Sequence, residues 1–198
     1  ERTESGFDIK VATSSSMTGA WSTFETIAQI ADGINEPDIE VSLGNNQVST
    51  VIWTNANRDS ISGSWRSASV PEWETPVTLS TGLSTILHLD VGPLATSAFI
   101  SFRGYDTVTG SNRAFAIDWY QTVATTPTVV DVSSTNTKHV TEVLQVTDGD
   151  DDAMIVWLQD AVASTTDTVW GNIWDGSTWL GLQQLSTSTG ATAVSTLA

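Results

Sequence analysis

Strand-like segments recur in this chain about every 50 residues, and that spacing constrains the fold more than any other feature. The segments DIEVSL, LHLDVG, TEVLQV and ATAVSTLA are centred near Glu40, Leu89, Val143 and Val194, in steps of 49, 54 and 51 residues. The aromatics closing the more apolar stretches, Trp53, Phe102 and Trp157, step by 49 and 55. Trp21 and Trp73 are 52 residues apart, and Trp73 and Trp179 are 106 apart, two steps of 53. Short alternating runs rich in β-branched and aromatic residues (STVIW, AFISF, AFAIDW, AMIVW) read as strands. No window carries helical periodicity, so the predicted class is all-β.

Each repeat has one internal order. A first strand such as PDIEVSL meets the turn GNNQ, and a more apolar second strand, STVIW, follows. A polar hairpin then leads to a third strand, ISGSW, and the Trp-containing turn VPEWETP leads to a polar, Thr-rich fourth strand, VTLS. Four short antiparallel strands of this size make one blade of a β-propeller. The predicted blades are 36–84, 85–135 and 136–190. A partial blade precedes them at 1–35, in which GFDIKVA and STFETIAQIA fit third and fourth strands. The first strand of a further blade follows at 191–198. The ring is therefore incomplete within these residues. Open strand edges at its two ends would recruit a neighbour by strand addition, Ala191–Ala198 foremost. Residue 1 is Glu and not Met, which suggests that the chain comes from a longer precursor.

The pattern A-x-x-V/I-W, W-D-G-S-x-W and P-V-x-L-S resembles the sialidase-like repeats of bacterial and archaeal surface propellers. AMIVWLQD (153–160), NIWDGSTWLGLQQLS (172–186), STVIWTN (49–55) and EWETPVTLS (72–80) carry the resemblance. WDGSTW is similar to the Asp-box turn of that family, with Ile173 where the motif has Ser or Thr. The resemblance implies that Asp175 accepts backbone hydrogen bonds within the turn, Gly176 takes a positive φ, and Trp179 packs between blades. Such turns are structural. A sialidase would also need an arginine cluster, an activated tyrosine and an acid/base carboxylate. The arginines are Arg2, Arg58, Arg66, Arg103 and Arg113, the last four in or beside second-to-third-strand hairpins, and the only tyrosines are Tyr105 and Tyr120. Catalysis is not expected. His88 and His139 sit one repeat apart at equivalent places, which points to a structural role before a catalytic or metal pair.

Charge narrows the partners. With 23 acidic residues against 7 basic ones the formal net charge is −16, and only Lys10 and Lys138 are lysines. Such a surface repels phosphate backbones and anionic lipid, so neither nucleic acid nor membrane is an expected partner. It suits an extracellular or cell-surface setting, where salt and cations screen the self-repulsion. There is no cysteine, which excludes disulfides, thiolate metal sites and cysteine nucleophiles. No apolar run reaches the ~18 residues of a membrane span.

Two candidate sites remain. VTDGDDDAMIVWLQD (146–160) places Asp148, Asp150 and Asp152 in alternation at a first-to-second-strand turn. Three such carboxylates, a carbonyl and water are an oxygen set that suits calcium, the one candidate cofactor. The turn resembles the calcium-binding hairpins of integrin-type propellers, although no glycine follows the third aspartate. The competing reading is a wet hairpin in which Gly149 takes a positive φ and the aspartates cap backbone donors. Among the nine tryptophans, Trp53, Trp65, Trp119 and Trp157 fit core positions, and Trp21, Trp73 and Trp179 fit packing between blades. Trp170 and Trp174 are left as candidates for stacking on sugars, with core packing as the alternative. The expected function is a non-catalytic extracellular structural or adhesive module that self-assembles or binds protein partners. Its rivals are a carbohydrate-binding module and a non-catalytic part of a larger secreted glycoside hydrolase.

Overall fold

The computed structural model describes residues 2–3, 6–14, 18–44, 48–80, 83–120, 129–133, 140–148, 150–159 and 168–186. Lys138, His139, Gly149 and the expected strand at 191–198 lie outside them. The described residues form strands and connections and contain no helix. Three of the four sheets are four-stranded meanders in which each strand pairs antiparallel with the next. Sheet I holds β1 (Arg2–Thr3), β2 (Gly6–Val11) and β3 (Glu25–Ala31). Sheet II holds β4 (Ile39–Leu43), β5 (Ser49–Thr54), β6 (Ile61–Arg66) and β7 (Val77–Ser80). Sheet III holds β8 (Ser84–Pro93), β9 (Ala98–Asp106), β10 (Ser111–Trp119) and β11 (Val129–Asp131). Sheet IV holds β12 (Val140–Thr147), β13 (Asp152–Gln159), β14 (Thr168–Asp175) and β15 (Gln183–Gln184). No closed ring or barrel forms among the described residues.

The sheets stack in chain order, and the period of 2 along each strand does the sorting. Call the face toward the preceding sheet leading and the other trailing. In β5, Val51 and Trp53 lead, against Ile9 and Ile30 of sheet I, while Ile52 trails. In β9, Ile100 and Phe102 lead, against Ile52, Ile61 and Leu79 of sheet II, while Phe99 trails. In β13, Ala153, Ile155 and Trp157 lead, against Phe99, Ala114 and Ala116 of sheet III. Trp53, Phe102 and Trp157 thus occupy the same role in three sheets. Phe102 stacks on its cross-strand partner Phe115 at 5.4 Å. The first strands β4, β8 and β12 lie beside one another in that order.

Close approach of the sheets depends on glycine at one crossing. A Cβ on Gly63 of β6 would lie 2.7 Å from the ring of Trp119 on the facing sheet, so the indole occupies the space a side chain would take. Burial of each large apolar side chain contributes about 1.5–3 kcal/mol. A partly exposed ion pair such as Lys10–Asp8 contributes about 0–1 kcal/mol. The interleaved apolar faces therefore hold the stack.

Three details differ from the sequence reading. GFDIKVA and ETIAQIA do pair, but β1 adds a third strand at the edge of β2. Trp21, expected between sheets, is 70% exposed, because it lies in the β2–β3 connection away from all three cores. The first strand of sheet III begins at Ser84, well before LHLDVG, and carries two register shifts against β9. Thr85 and His88 take φ of 59° and 51° at these bulges. The extra residues let Ile86 and Leu89, three apart, both face the core.

A β-branched residue in the left-handed region is strained. Thr85 is exposed. Thr85→Gly is expected to raise stability by about 0.5–1 kcal/mol, or ~1–4 °C in Tm, the relief of strain exceeding glycine's entropy cost. Thermal melts followed by circular dichroism check this, and a lower Tm would refute the strained bulge.

Candidate functional site

The acidic turn joins β12 to β13 at the top of sheet IV. The Asp148 carboxylate accepts the Asp150 N–H at 2.8 Å, and the Asp148 N–H donates to the Asp152 carbonyl at 3.3 Å. Asp152 opens β13 directly opposite Asp175 of β14. The Asp150 carbonyl accepts the Ala95 N–H from the β8–β9 turn, so this turn also ties sheet IV to sheet III. Asp148, Asp150, Asp151 and Asp152 are exposed. Among the described residues no group of three or more acidic or histidine side chains is placed to hold a metal. The backbone-capping role predicted by the hairpin reading is present at Asp148.

The WDGSTW turn closes the same sheet. Asp175 accepts the Ser177 and Thr178 N–H groups at 3.0 and 2.7 Å and the Ser177 hydroxyl at 2.8 Å. These donors, the Thr178 N–H foremost, hold its carboxyl below the ordinary range. Gly176 has φ of +83°, and a Cβ there would meet Asp151 at 2.8 Å. Trp179 packs 5.9 Å from Phe99 of sheet III and 5.6 Å from Trp174. Asp175 and Gly176 thus take the roles expected of this turn, and Trp179 packs between sheets III and IV.

Trp170 and Trp174 do not stand free. Their cross-strand partners are Trp157 and Ala153, so alternation turns both indoles onto the leading face, where they pack half-buried against the core shared with sheet III. The Trp170 indole N–H donates to the Thr168 hydroxyl at 2.9 Å.

Arg58, Arg66, Arg103 and Arg113 are dispersed and engaged. Arg58 pairs with Asp38 at 3.0 Å, and buried Arg113 pairs with Asp131 at 2.8 Å. Arg103 donates to the Thr141 carbonyl of sheet IV at 2.6 Å, and Arg66 lies 5.5 Å from the ring of Trp73. Each serves a local contact or a junction between sheets, and these four do not converge on one anion site.

Two features escape sequence reading. The first is a row of polar groups on the adjacent first strands: Glu40 on β4, Asp90 on β8 and Gln145 on β12. Burial raises the Glu40 carboxyl above its ordinary range, and Asp90 and Asp38 add to this. Burial also raises Asp90, against hydrogen bonds from the Val91 and Gln145 backbone. Asp118 is raised by burial, with Asp151 of the acidic turn adding to it and hydrogen bonds from Ser97 and Tyr120 opposing it. The second is a cleft of about 260 Å³ between sheets II and III, lined by Ser42, Thr50, Trp65, Pro93, Thr96 and Ser97 among others. Its walls come from three separate segments of chain, so no local motif announces it.

No protein-family model matches the chain, and no curated protein matches it.

Two outcomes follow from this geometry. Millimolar calcium is expected to leave the Tm unchanged. A calcium-dependent rise abolished by Asp150→Asn with Asp152→Asn would instead establish a cation at the acidic turn. Carboxyls raised in the folded state bind protons more readily folded than unfolded, so they weaken the fold at neutral pH. Stability gained from protonating Glu40, Asp90 and Asp118 appears as pH falls through their raised values toward ~4. Asp106 and Asp175 are lowered, and their contribution is lost as pH falls further. Tm is therefore expected to rise as pH falls from neutrality toward ~4 and to drop again at lower pH. Glu40→Gln with Asp90→Asn should raise the neutral-pH Tm and flatten the rise toward acid, read from melts at stepped pH.

Proposed function

We propose that this chain is a non-catalytic segment of an extracellular β-propeller, a structural or adhesive module that assembles with further copies through exposed apolar sheet faces. Support for the propeller comes from the serial stack: meander sheets of about one repeat each, apolar on both faces, with first strands side by side. Support for an extracellular setting comes from composition, the net charge of −16 above all.

The observation that carries assembly is the apolar surface left exposed on two sheet faces. Sheets II and III bury their trailing faces against the next sheet. Sheet IV has a trailing face of the same make: Leu144, Val146, Met154, Val156 and Ile173 share it by register. Val146 is 58% exposed, and a hollow of about 180 Å³ lies against Val146, Met154 and Ile173. On the leading face of sheet II, which sheet I covers at β5, β4 still leaves Val41 and Leu43 70% and 72% exposed, with Ile39 beside them. A trailing face meeting a leading face is the contact already made three times within the stack. A second copy offers the missing half of each, in a head-to-tail contact.

Sedimentation velocity tests this. The chain is expected to form concentration-dependent oligomers in the micromolar range. Val41→Lys with Leu43→Lys, and separately Leu144→Lys with Val146→Lys, should each give monomers, since each variant lacks one half of the contact. Mixing the two variants should restore dimers and nothing larger. A wild-type chain that stays monomeric, or a mixture that does not pair, overturns the assembly.

A further inference from the structure

A cleft opens between sheets II and III. Its floor and walls are Trp65 of β6, the ends of β4 and β5, and the β8–β9 turn that begins after Pro93. Ser42 is only 7% exposed, yet its hydroxyl has no hydrogen-bond partner. A buried hydroxyl without a partner is uncommon and costly, and this one lines the cleft. Thr50, Thr96 and Ser97 place three more hydroxyls on the lining. The Ser97 hydroxyl is already engaged by the Asp118 carboxylate. The turn is held in place by the Leu94 N–H donating to the Ser97 carbonyl at 3.0 Å and by the Ala95 bond to sheet IV.

The chemistry of the lining selects the ligand. Among the described residues, none that lines the cleft is acidic or basic, in a chain that carries −16 overall. Anions are repelled by the field and cations find no carboxylate here, which leaves a neutral molecule. Trp65 and Pro93 offer apolar surface for C–H faces, and the hydroxyls offer partners for an edge of donors and acceptors. A pyranose ring has both in one small body. The volume of about 260 Å³ equals roughly eight or nine waters, room for one hexose ring.

We propose that this cleft binds a single neutral pyranose, with Trp65 as its apolar wall and Ser42 as a hydrogen-bond partner. The site is independent of the exposed apolar faces invoked above, and neither Trp170 nor Trp174 contributes to it.

Saturation-transfer NMR with methyl glycosides of glucose, galactose, mannose, fucose and N-acetylglucosamine tests the proposal, with a sialoside as the anionic control. Transfer to at least one neutral glycoside and none to the sialoside is expected. Thr96 is exposed at the cleft, so Thr96→Trp should block entry and abolish transfer with the melting curve unchanged. Ser42→Ala should weaken the Kd about tenfold, the loss of one hydrogen bond. Absence of transfer to every neutral glycoside overturns the site. So does transfer that survives Thr96→Trp, or a sialoside that binds as well as the neutral sugars.

Discussion

Everything in this structure depends on second strands that are apolar on both faces. A strand buried on one side needs one neighbouring sheet; a strand buried on both needs two. Phe102 and Ile100 point one way from β9 and Phe99 the other, so sheet III is committed to partners on either side. The same holds for Trp53 and Ile52 on β5. Stacking is then the economical arrangement, because each added sheet covers one face and exposes another like it. Gly63 under Trp119 and the paired Phe102–Phe115 rings show how closely the faces interlock. Polar ties such as Arg103 to the Thr141 carbonyl set the register of sheets that apolar burial has already brought together.

That arrangement also explains where polar chemistry collects. The carboxyls with displaced titration lie at strand ends, in turns and along the line of first strands. Glu40, Asp90 and Asp118 sit where sheets meet, close enough to neighbouring acids and poor enough in water that ionisation is penalised. Asp106 and Asp175 sit in exposed turns surrounded by donors, and are stabilised as anions. One residue type thus behaves in opposite ways according to its place in the stack. The cleft at Trp65 belongs to the same pattern, lying where the β8–β9 turn of sheet III spans the mouth between two sheets.

Much of this was legible beforehand. Alternation in STVIW, AFISF and AMIVW announces β5, β9 and β13, and the interval between Trp53, Phe102 and Trp157 announces their common role. The WDGSTW turn was readable to the level of Asp175, Gly176 and Trp179, because Asx-type turns are local. The candidate sites were much less so. Trp170 and Trp174 could be named but not oriented, since the direction of an indole follows from which cross-strand residue it opposes. Trp21 kept the interval and still fell outside every core, because spacing does not say whether a residue lies in a strand or a connection. The bulges at Thr85 and His88 broke the period of 2 where sequence reading relied on it.

By itself, then, the sequence determined that the chain is all-β, how often its strands recur, which of them need burial on both faces, and how acidic its surface is. These follow from local pattern and composition. Only the tertiary structure decided which face of each strand leads, that the acidic turn caps a backbone donor with Asp148 and ties to sheet III through the Asp150 carbonyl, and that Ser42, Trp65 and Thr96 line one cleft. Those outcomes require residues from separate repeats to meet, and the geometry of their meeting is set by packing between sheets.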